Sequence, residues 1–314
     1  NGIEIGRRAL QAQQTALQVT SHNIANANTP GFSRRRVDLE TAGGGVLGGV
    51  GSGVDAAAVV RQRSRFLDTQ MRVEQQLLGR WEAIEESLTG IEGIFNEPAG
   101  AGSSEAGTIF SEPSGLGLSG SLSRFWNAWQ DLANVPESGA ARAAVRQETN
   151  FLTTTLHQLN GQLIENRLGL DDEIVRVVGA VNEIVDQLVA LNGEILRVGL
   201  EGGTSGDLLD KRDLLLEELA SKADISTTES ENGQVTVFLS GHNLVQGTGA
   251  VHLGIRKITD NEFPSSTVMF EDDGSIATIR EGRLKGLMEV RDQTIPDLLS
   301  RLDVIANELV SSTN

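Results

Sequence analysis

The sequence predicts a mainly α-helical protein with an inserted β region. Three observations support this fold class: apolar residues recur every seven positions in long segments, alternating apolar residues replace that pattern between 225 and 281, and aromatic residues make up only 4% of the 314 residues. A core built mostly from Leu, Val, Ile and Ala suits helix packing. We therefore expect a long helical rod or coiled-coil bundle that carries a small antiparallel β-hairpin domain.

A first helix is predicted over residues 3–27. Its large apolar residues, Ile3, Leu10, Leu17 and Ile24, form a stripe too narrow to bury the helix alone. The Pro and Gly that follow end the helix. We expect this helix to lack a lasting partner within the chain and to become ordered when another chain covers the stripe.

Strand-like pieces around a Gly-rich loop follow, and then a helix over residues 64–96 with apolar residues on one side. Residues 97–120 are rich in Gly, Ser and Pro and predict a flexible loop. A short amphipathic helix after this loop contains Trp126 and Trp129. Since aromatic residues at helical spacing usually belong to a core, we expect this helix to pack on the long helix that follows it.

The strongest periodicity runs from residue 145 to 198, with steps of three and four residues and one stutter near Gly169. This pattern is typical of a coiled coil. The apolar side of the long helix is predicted to contain Val145, Leu152, Leu156, Leu159, Leu163, Leu170, Ile174, Val177, Val181, Ile184, Leu188, Leu191, Ile195 and Val198.

Strand-like segments are predicted at 235–239, 251–255, 267–270 and 276–279, and Asn-Gly and Asp-Gly pairs mark hairpin turns at 232–233 and 273–274. Helical periodicity returns after residue 284 and is still running where the sequence stops, so we expect the natural protein to continue.

The predicted organisation has five segments. They are an N-terminal core helix (1–30), a Gly-rich adaptor (31–63), a helical rod domain (64–224), a β-hairpin region (225–281) and a return helix of the rod (282–314).

The composition restricts the function. A formal net charge of −17 argues against nucleic-acid binding, and no apolar run is long enough to span a membrane. The charge is uneven, because residues 1–80 carry a net charge of +4 and the remainder carries −21. Cys is absent, which removes disulfides and thiol chemistry.

No group of residues predicts catalysis, a metal or a cofactor. Residues 43–48 fit G-x-G-x-x-G, but no helix follows them to hold a phosphate. The four His residues are scattered, and residues 271–274 resemble a calcium loop in composition only. Asp207, Asp210 and Asp213 are interpreted as acids at a helix start. The Arg residues at 34–36 and at 61, 63 and 65 are interpreted as a solvated face or a protein-contact patch.

The segment from Ser21 to Phe32, SHNIANANTPGF, resembles the signature shared by the rod, hook and hook-associated proteins of the bacterial flagellum. In that superfamily, the helix before the signature lies in the inner core of the axial structure. The residues that the resemblance assigns to assembly are Leu10, Leu17, Asn23, Ile24, Asn26, Asn28, Thr29, Pro30, Gly31 and Phe32.

Further segments resemble the FlgK family of hook-associated proteins. They are DLLDKRDL at 207–214, GHNLVQG at 241–247, the helix that begins with G-x-L-x-G at 282 and, more weakly, residues 137–145. The family's C-terminal helix, which pairs with the first one, is missing, so the sequence is either trimmed or a shortened member.

The resemblance implies a secreted, non-enzymatic protein of the extracellular flagellum. The implied partners are identical subunits in a ring, the hook protein, the next hook-associated protein and an export chaperone. Three alternatives stay open: another axial protein such as hook or distal rod, a soluble coiled-coil adaptor, and a nucleotide-dependent enzyme.

Overall fold

The computed structural model describes residues 2–42, 53–95, 117–201, 203, 206–260 and 263–313. Within these ranges the chain is mainly helical with small antiparallel sheets, which confirms the predicted fold class. The elements are α1 (Gly2–Ala25), β1 (Arg35–Thr41), β2 (Val54–Arg61), α2 (Arg65–Phe95), α3 (Leu118–Asn134), α4 (Gly139–Leu200), α5 (Gly206–Lys222), β3 (Ile225–Glu229), β4 (Val235–Leu239), β5 (His242–Gln246), β6 (Gly249–Ala250), β7 (Leu253–Asp260), β8 (Phe263–Phe270), α6 (Gly282–Glu289) and α7 (Ile295–Thr313).

The chain divides into two compact units. The first comprises Asn1–Leu78, Val178–Gly254 and Val268–Gly282, and the second comprises the remaining segments. The predicted loop at 97–120 falls mostly outside the described residues, except that Leu118–Gly120 already belong to α3.

Helix α4 confirms the predicted periodicity. It continues through all 62 residues from Gly139 to Leu200 without a break at the stutter. Most of its predicted apolar side is buried, including Leu163, Ile174, Val181 and Leu188, each with 0% exposure. The stripe is therefore the face on which other elements of the chain pack.

In the first unit, β3, β4, β5 and β6 form a four-stranded antiparallel sheet in that order. The turn between β3 and β4 contains Gly233 at φ +81°, a left-handed conformation that glycine adopts without strain. One predicted strand is wrong: residues 276–279 contribute only an isolated bridge between Ile276 and Met269. The tight turn that contains Gly274 leaves room for a single pairing before the chain turns away.

Two Asn side chains join α4 to the β region of this unit. The side-chain amide of Asn192 donates to the backbone oxygens of Val235 and Gly247 at 2.8 and 2.9 Å, and its oxygen accepts from the backbone amide of Val235 at 2.9 Å. Asn182 makes the same two-way contact with the backbone of Leu253. Each Asn therefore satisfies strand groups that would otherwise lose their hydrogen bonds on burial.

The second unit contains a cluster in which Ile91, Leu159, Leu163, Val290, Ile295 and Leu302 are buried together. Residues Val290–Thr294 form one wide π-helical turn between α6 and α7. Pro296 follows it, and a proline ring disfavours a regular turn before it. The turn holds Arg291 against Asp171 and the Ser266 carbonyl, at 2.6 and 2.8 Å.

Helix α3 packs on α4, as expected, but the buried aromatic residue is Phe125. Trp126 is 44% exposed, so its predicted place in the core is wrong. Trp129 lines a groove of about 510 Å³ together with residues of α4 and α7. The periodicity located the apolar side of α3, but Trp126 lies at its edge, next to Phe125 in an edge-on contact.

Candidate assembly surfaces

The apolar stripe of α1 is exposed. Ile3, Leu10, Leu17 and Ile24 are 68–90% accessible, which is unusual for large apolar side chains at regular spacing. Another side of α1 packs on the β1–β2 hairpin, where Ala12 is buried and Arg8 pairs with Asp55 at 3.2 Å. The expectation that α1 has no partner within the chain is therefore wrong for this side, because both strands of the hairpin contact the helix. For the apolar stripe itself, the expectation of no partner within the chain agrees with the high exposure of its four residues.

The signature after α1 is anchored to the hairpin by Asn23. Its side-chain amide donates to the Arg35 carbonyl at 2.8 Å, and its oxygen accepts from the Arg35 amide at 2.9 Å. Asn26 turns the chain by donating to the His22 carbonyl at 3.0 Å and by accepting from the Thr29 hydroxyl at 3.3 Å. These two Asn residues therefore set the direction in which the chain leaves α1.

Gly31 has φ +77°, and a Cβ added there would lie 3.3 Å from Cβ of Leu214 in α5. Phe32 lies between the His22 ring and the Arg35 guanidinium, whose centres are 5.4 and 5.5 Å from its ring centroid. Ile24, Asn28, Thr29 and Pro30 remain exposed. The structure thus divides the signature residues into an anchoring group and a group that is accessible to a partner.

Arg side chains of the hairpin pair with acids along one side of α5. Arg35 donates to Asp207 and Asp210, Arg61 pairs with Asp210 and Asp213 at 2.8 and 2.7 Å, and Arg63 donates to Glu217 at 2.6 Å. We call these residues the Arg–Asp ladder. It attaches the hairpin, and through it α1, to the rest of the first unit.

The ladder corrects two interpretations drawn from the sequence. Arg35, Arg61 and Arg63 are mostly buried in internal ion pairs rather than forming a solvated face or a protein-contact patch. Asp207 lies in the first turn of α5, as interpreted, whereas Asp210 and Asp213 lie further along the helix and pair with Arg61. Spacing offered a partial signal, because Asp210, Asp213 and Glu217 share one side of a helix. Arg61 is the last residue of β2, and Arg63 lies beyond the strand.

Within the ladder, electrostatic interactions favour the ionised form of Asp213. Burial alone would raise the pKa of Asp213, but Arg212 and Arg61 outweigh that effect and hold the pKa below its ordinary value of 3.8. Arg212 donates to Asp213 at 2.9 Å and to the Gly233 carbonyl at 2.7 Å, so it also joins α5 to the β3–β4 turn. The pairing is consistent with a structural role.

Helix α2 carries a second exposed apolar stripe. Five large apolar residues on one side of α2 are 37–60% exposed, whereas Ile91 near the end of the helix is buried. The exposed residues are Leu67, Met71, Leu78, Trp81 and Leu88.

The Gly-rich segment with the G-x-G-x-x-G pattern lies outside the described residues, apart from Gly53. None of the described helices is long and apolar enough to cross a membrane.

Comparisons with known proteins agree with these features. The family model described as the flagellar hook-associated protein FlgK helical domain matches residues 103–314, and the flagella basal body rod protein model matches residues 3–32. Flagellar hook-associated protein 1 of Bacillus subtilis is 32% identical over 81% of this chain and 48% of its own length. The protein of the same name from Salmonella typhimurium is 27% identical over 97% of this chain and 54% of its own length.

The chain spans about half the length of these curated relatives. Its fold is similar to that of the flagellar hook junction protein FlgK from Burkholderia pseudomallei, with a TM-score of 0.57 and 21% identity over 72% of this chain and 39% of that one. Because the FlgK helical-domain model matches about two-thirds of the residues, the chain belongs to the FlgK family of flagellar hook-associated proteins.

Proposed function

We propose that this chain is a structural junction protein that joins the flagellar hook to the filament by helix packing. The exposed stripe of α1 carries the proposal, because Ile3, Leu10, Leu17 and Ile24 repeat every seven residues and lie 68–90% open to solvent. Such a repeat is suited to a partner helix. Burying one of these side chains fully would contribute about 1.5–3 kcal/mol.

The proposed partners follow from the family and from the two stripes. Identical subunits pack side by side in a ring, the stripe of α1 is covered in the inner core, and the stripe of α2 faces a neighbouring subunit. The hook protein lies on one side of the ring and the next hook-associated protein on the other. Before assembly, the chain is bound by an export chaperone and leaves the cell for the extracellular flagellum.

The signature residues have separate proposed roles. Asn23, Asn26, Gly31 and Phe32 hold the angle between α1 and the hairpin, whereas Asn28, Thr29 and Pro30 contact a neighbouring subunit. This division rests on the hydrogen bonds of the first group and on the exposure of the second. The role proposed for the whole chain is assembly without catalysis.

Leu17→Asp tests the role of α1. An Asp at this exposed position leaves the packing of the monomer intact but places a charge where a partner helix would bury Leu17. We expect cells whose native gene is replaced by this variant to form hooks without filaments, while the purified variant unfolds at the wild-type urea concentration.

Gln18→Asp is the matched control, because it adds the same charge one residue along the helix, about 100° around its axis. It should support filaments. Normal filaments with Leu17→Asp would contradict the proposed contact, and filaments on cells that lack the gene altogether would contradict the junction function.

A further inference from the structure

The fold brings His242 next to Asp272 and Asp273, two neighbouring acids that lie about 30 positions later in the sequence. His242 begins β5, and Asp272 and Asp273 lie in the turn after β8. One ligand atom from each of the three lies within 4.8 Å of the other two. In the sequence the four His residues are scattered, and Asp273 belongs to a predicted hairpin turn. The proximity of His242 to the two acids depends on how the two turns meet.

The backbone holds these turns together. Ser240 has φ +54° and is the only residue other than glycine with a positive φ in the described ranges. This conformation costs free energy in an L-residue and re-aims the chain just before His242. The Ser240 hydroxyl donates to the Thr278 carbonyl at 2.6 Å, which links the β4–β5 turn to the chain beyond the acidic turn.

The side chains are oriented as well. The His242 ring stacks on fully buried Phe270, with centroids 4.1 Å apart and planes 18° from parallel. The stacking uses the face of the His242 ring, so the ring nitrogens, which lie at its edge, are not part of this contact. The Asp273 carboxylate accepts a hydrogen bond from the Ser275 amide at 2.8 Å, which fixes its orientation in the turn.

We propose that His242, Asp272 and Asp273 bind one zinc ion. One imidazole and two carboxylates form a three-residue ligand set that Zn²⁺ accepts, with its fourth position left to water. Calcium prefers six to eight oxygen ligands and is disfavoured by the imidazole. At Zn–N and Zn–O distances of about 2.1 Å, tetrahedral ligand atoms lie about 3.4 Å apart. The exposed carboxylates reach that spacing by moving about 1.4 Å or less.

Bound zinc would cross-link the β4–β5 turn to the turn after β8. An ion that binds the folded chain alone raises its stability by mass action. The proposal concerns the β region of the first unit and is independent of the assembly role, since α1 and the Arg–Asp ladder contribute no ligand.

Calorimetric titration of the untagged 314-residue chain with zinc chloride tests the proposal. We expect saturable binding of one Zn²⁺ per chain and a higher Tm with zinc than with EDTA. His242→Phe keeps an aromatic ring on Phe270 and removes the nitrogen ligand, so zinc affinity should fall by about 10-fold or more and the zinc-dependent rise in Tm should disappear. Asp273→Asn should also reduce the affinity for zinc.

His252→Phe is the control, because His252 is paired with Asp186 at 2.9 Å and belongs to neither turn. It should bind zinc as the wild type does. Wild-type zinc affinity in His242→Phe would overturn the proposal, and so would the absence of saturable binding to the wild-type chain. Tighter binding of calcium than of zinc would overturn the assigned ligand chemistry.

Discussion

At the scale of single residues, Asp213 connects three parts of the first unit. Its carboxylate accepts from Arg61 at 2.7 Å and from Arg212 at 2.9 Å, and its side chain is about 10% exposed. A buried ion pair is weak evidence for net stability, but removing one partner leaves an uncompensated charge behind. Asp213→Asn should therefore lower the free energy of unfolding at pH 7 by on the order of 3 kcal/mol.

The pH dependence of that loss follows from the pKa of Asp213. Because the folded-state pKa is lower than the unfolded-state value, the stability contributed by its charge is present above the unfolded-state pKa and is lost as the pH falls through the folded-state pKa. Between pH 5 and pH 3, the urea midpoint of the wild type should approach that of Asp213→Asn. Asp224, whose pKa is raised by burial, acts in the opposite direction but is present in both proteins. A constant difference between the two midpoints would contradict this assignment.

Residue spacing could predict local features but not the distant pairs. The buried side of α4 follows from its periodicity because a helix repeats locally. Arg61 and Asp213 are 152 positions apart, and nothing in the spacing of either set says that the hairpin lies on α5. His242 and Asp273 meet for the same kind of reason, through the approach of two turns. Trp126 shows a different limit of prediction from the sequence. The spacing of apolar residues identifies which side of α3 is buried, but not how far around the helix the burial extends.

At the scale of elements, two glycines explain why α6 begins with G-x-L-x-G. Gly282 has φ +83°, and a Cβ there would lie 2.5 Å from the Ala223 amide nitrogen. In the second unit, a Cβ on Gly286 would lie 2.4 Å from the Arg80 carbonyl and 2.8 Å from Cβ of Ala83 in α2. Leu284 between them is fully buried. The two glycines thus allow α6 to lie close to the backbone of neighbouring elements. Any larger residue at either position would push that backbone away.

The same substitution should have opposite effects at two helical glycines. Gly286→Ala places a methyl group against the α2 backbone and should destabilise the chain by about 1–3 kcal/mol, as overpacking does. Gly161→Ala in α4 meets open space, so it should stabilise the chain by about 0.4–1 kcal/mol through higher helix propensity and a less flexible unfolded state. Urea unfolding of both variants measures the difference. Equal effects would show that α6 does not approach α2 as closely as described.

At the scale of the whole molecule, the charge distribution has an internal explanation. Residues 1–80 carry a net charge of +4, and three of their Arg residues, Arg35, Arg61 and Arg63, pair with acids of α5. Much of the basic character of the N-terminal part is therefore used inside the first unit. Most of the large apolar side chains that this part exposes lie in the stripe of α1 and at the start of the stripe of α2.

This distribution predicts where the monomer is weakly protected. In α1 only Ala12 is buried, so little apolar burial offsets the cost of about 1–2 kcal/mol for ordering each residue. In α4, by contrast, many large side chains are fully buried. In dilute monomeric protein, amide hydrogens of residues 10–24 should exchange much faster than those of residues 174–188, and protease should cut α1 first.

On assembly, the same α1 amides should become protected while α4 changes little. Protection of α1 equal to that of α4 in a demonstrably monomeric sample would contradict the view that its order depends on neighbouring subunits.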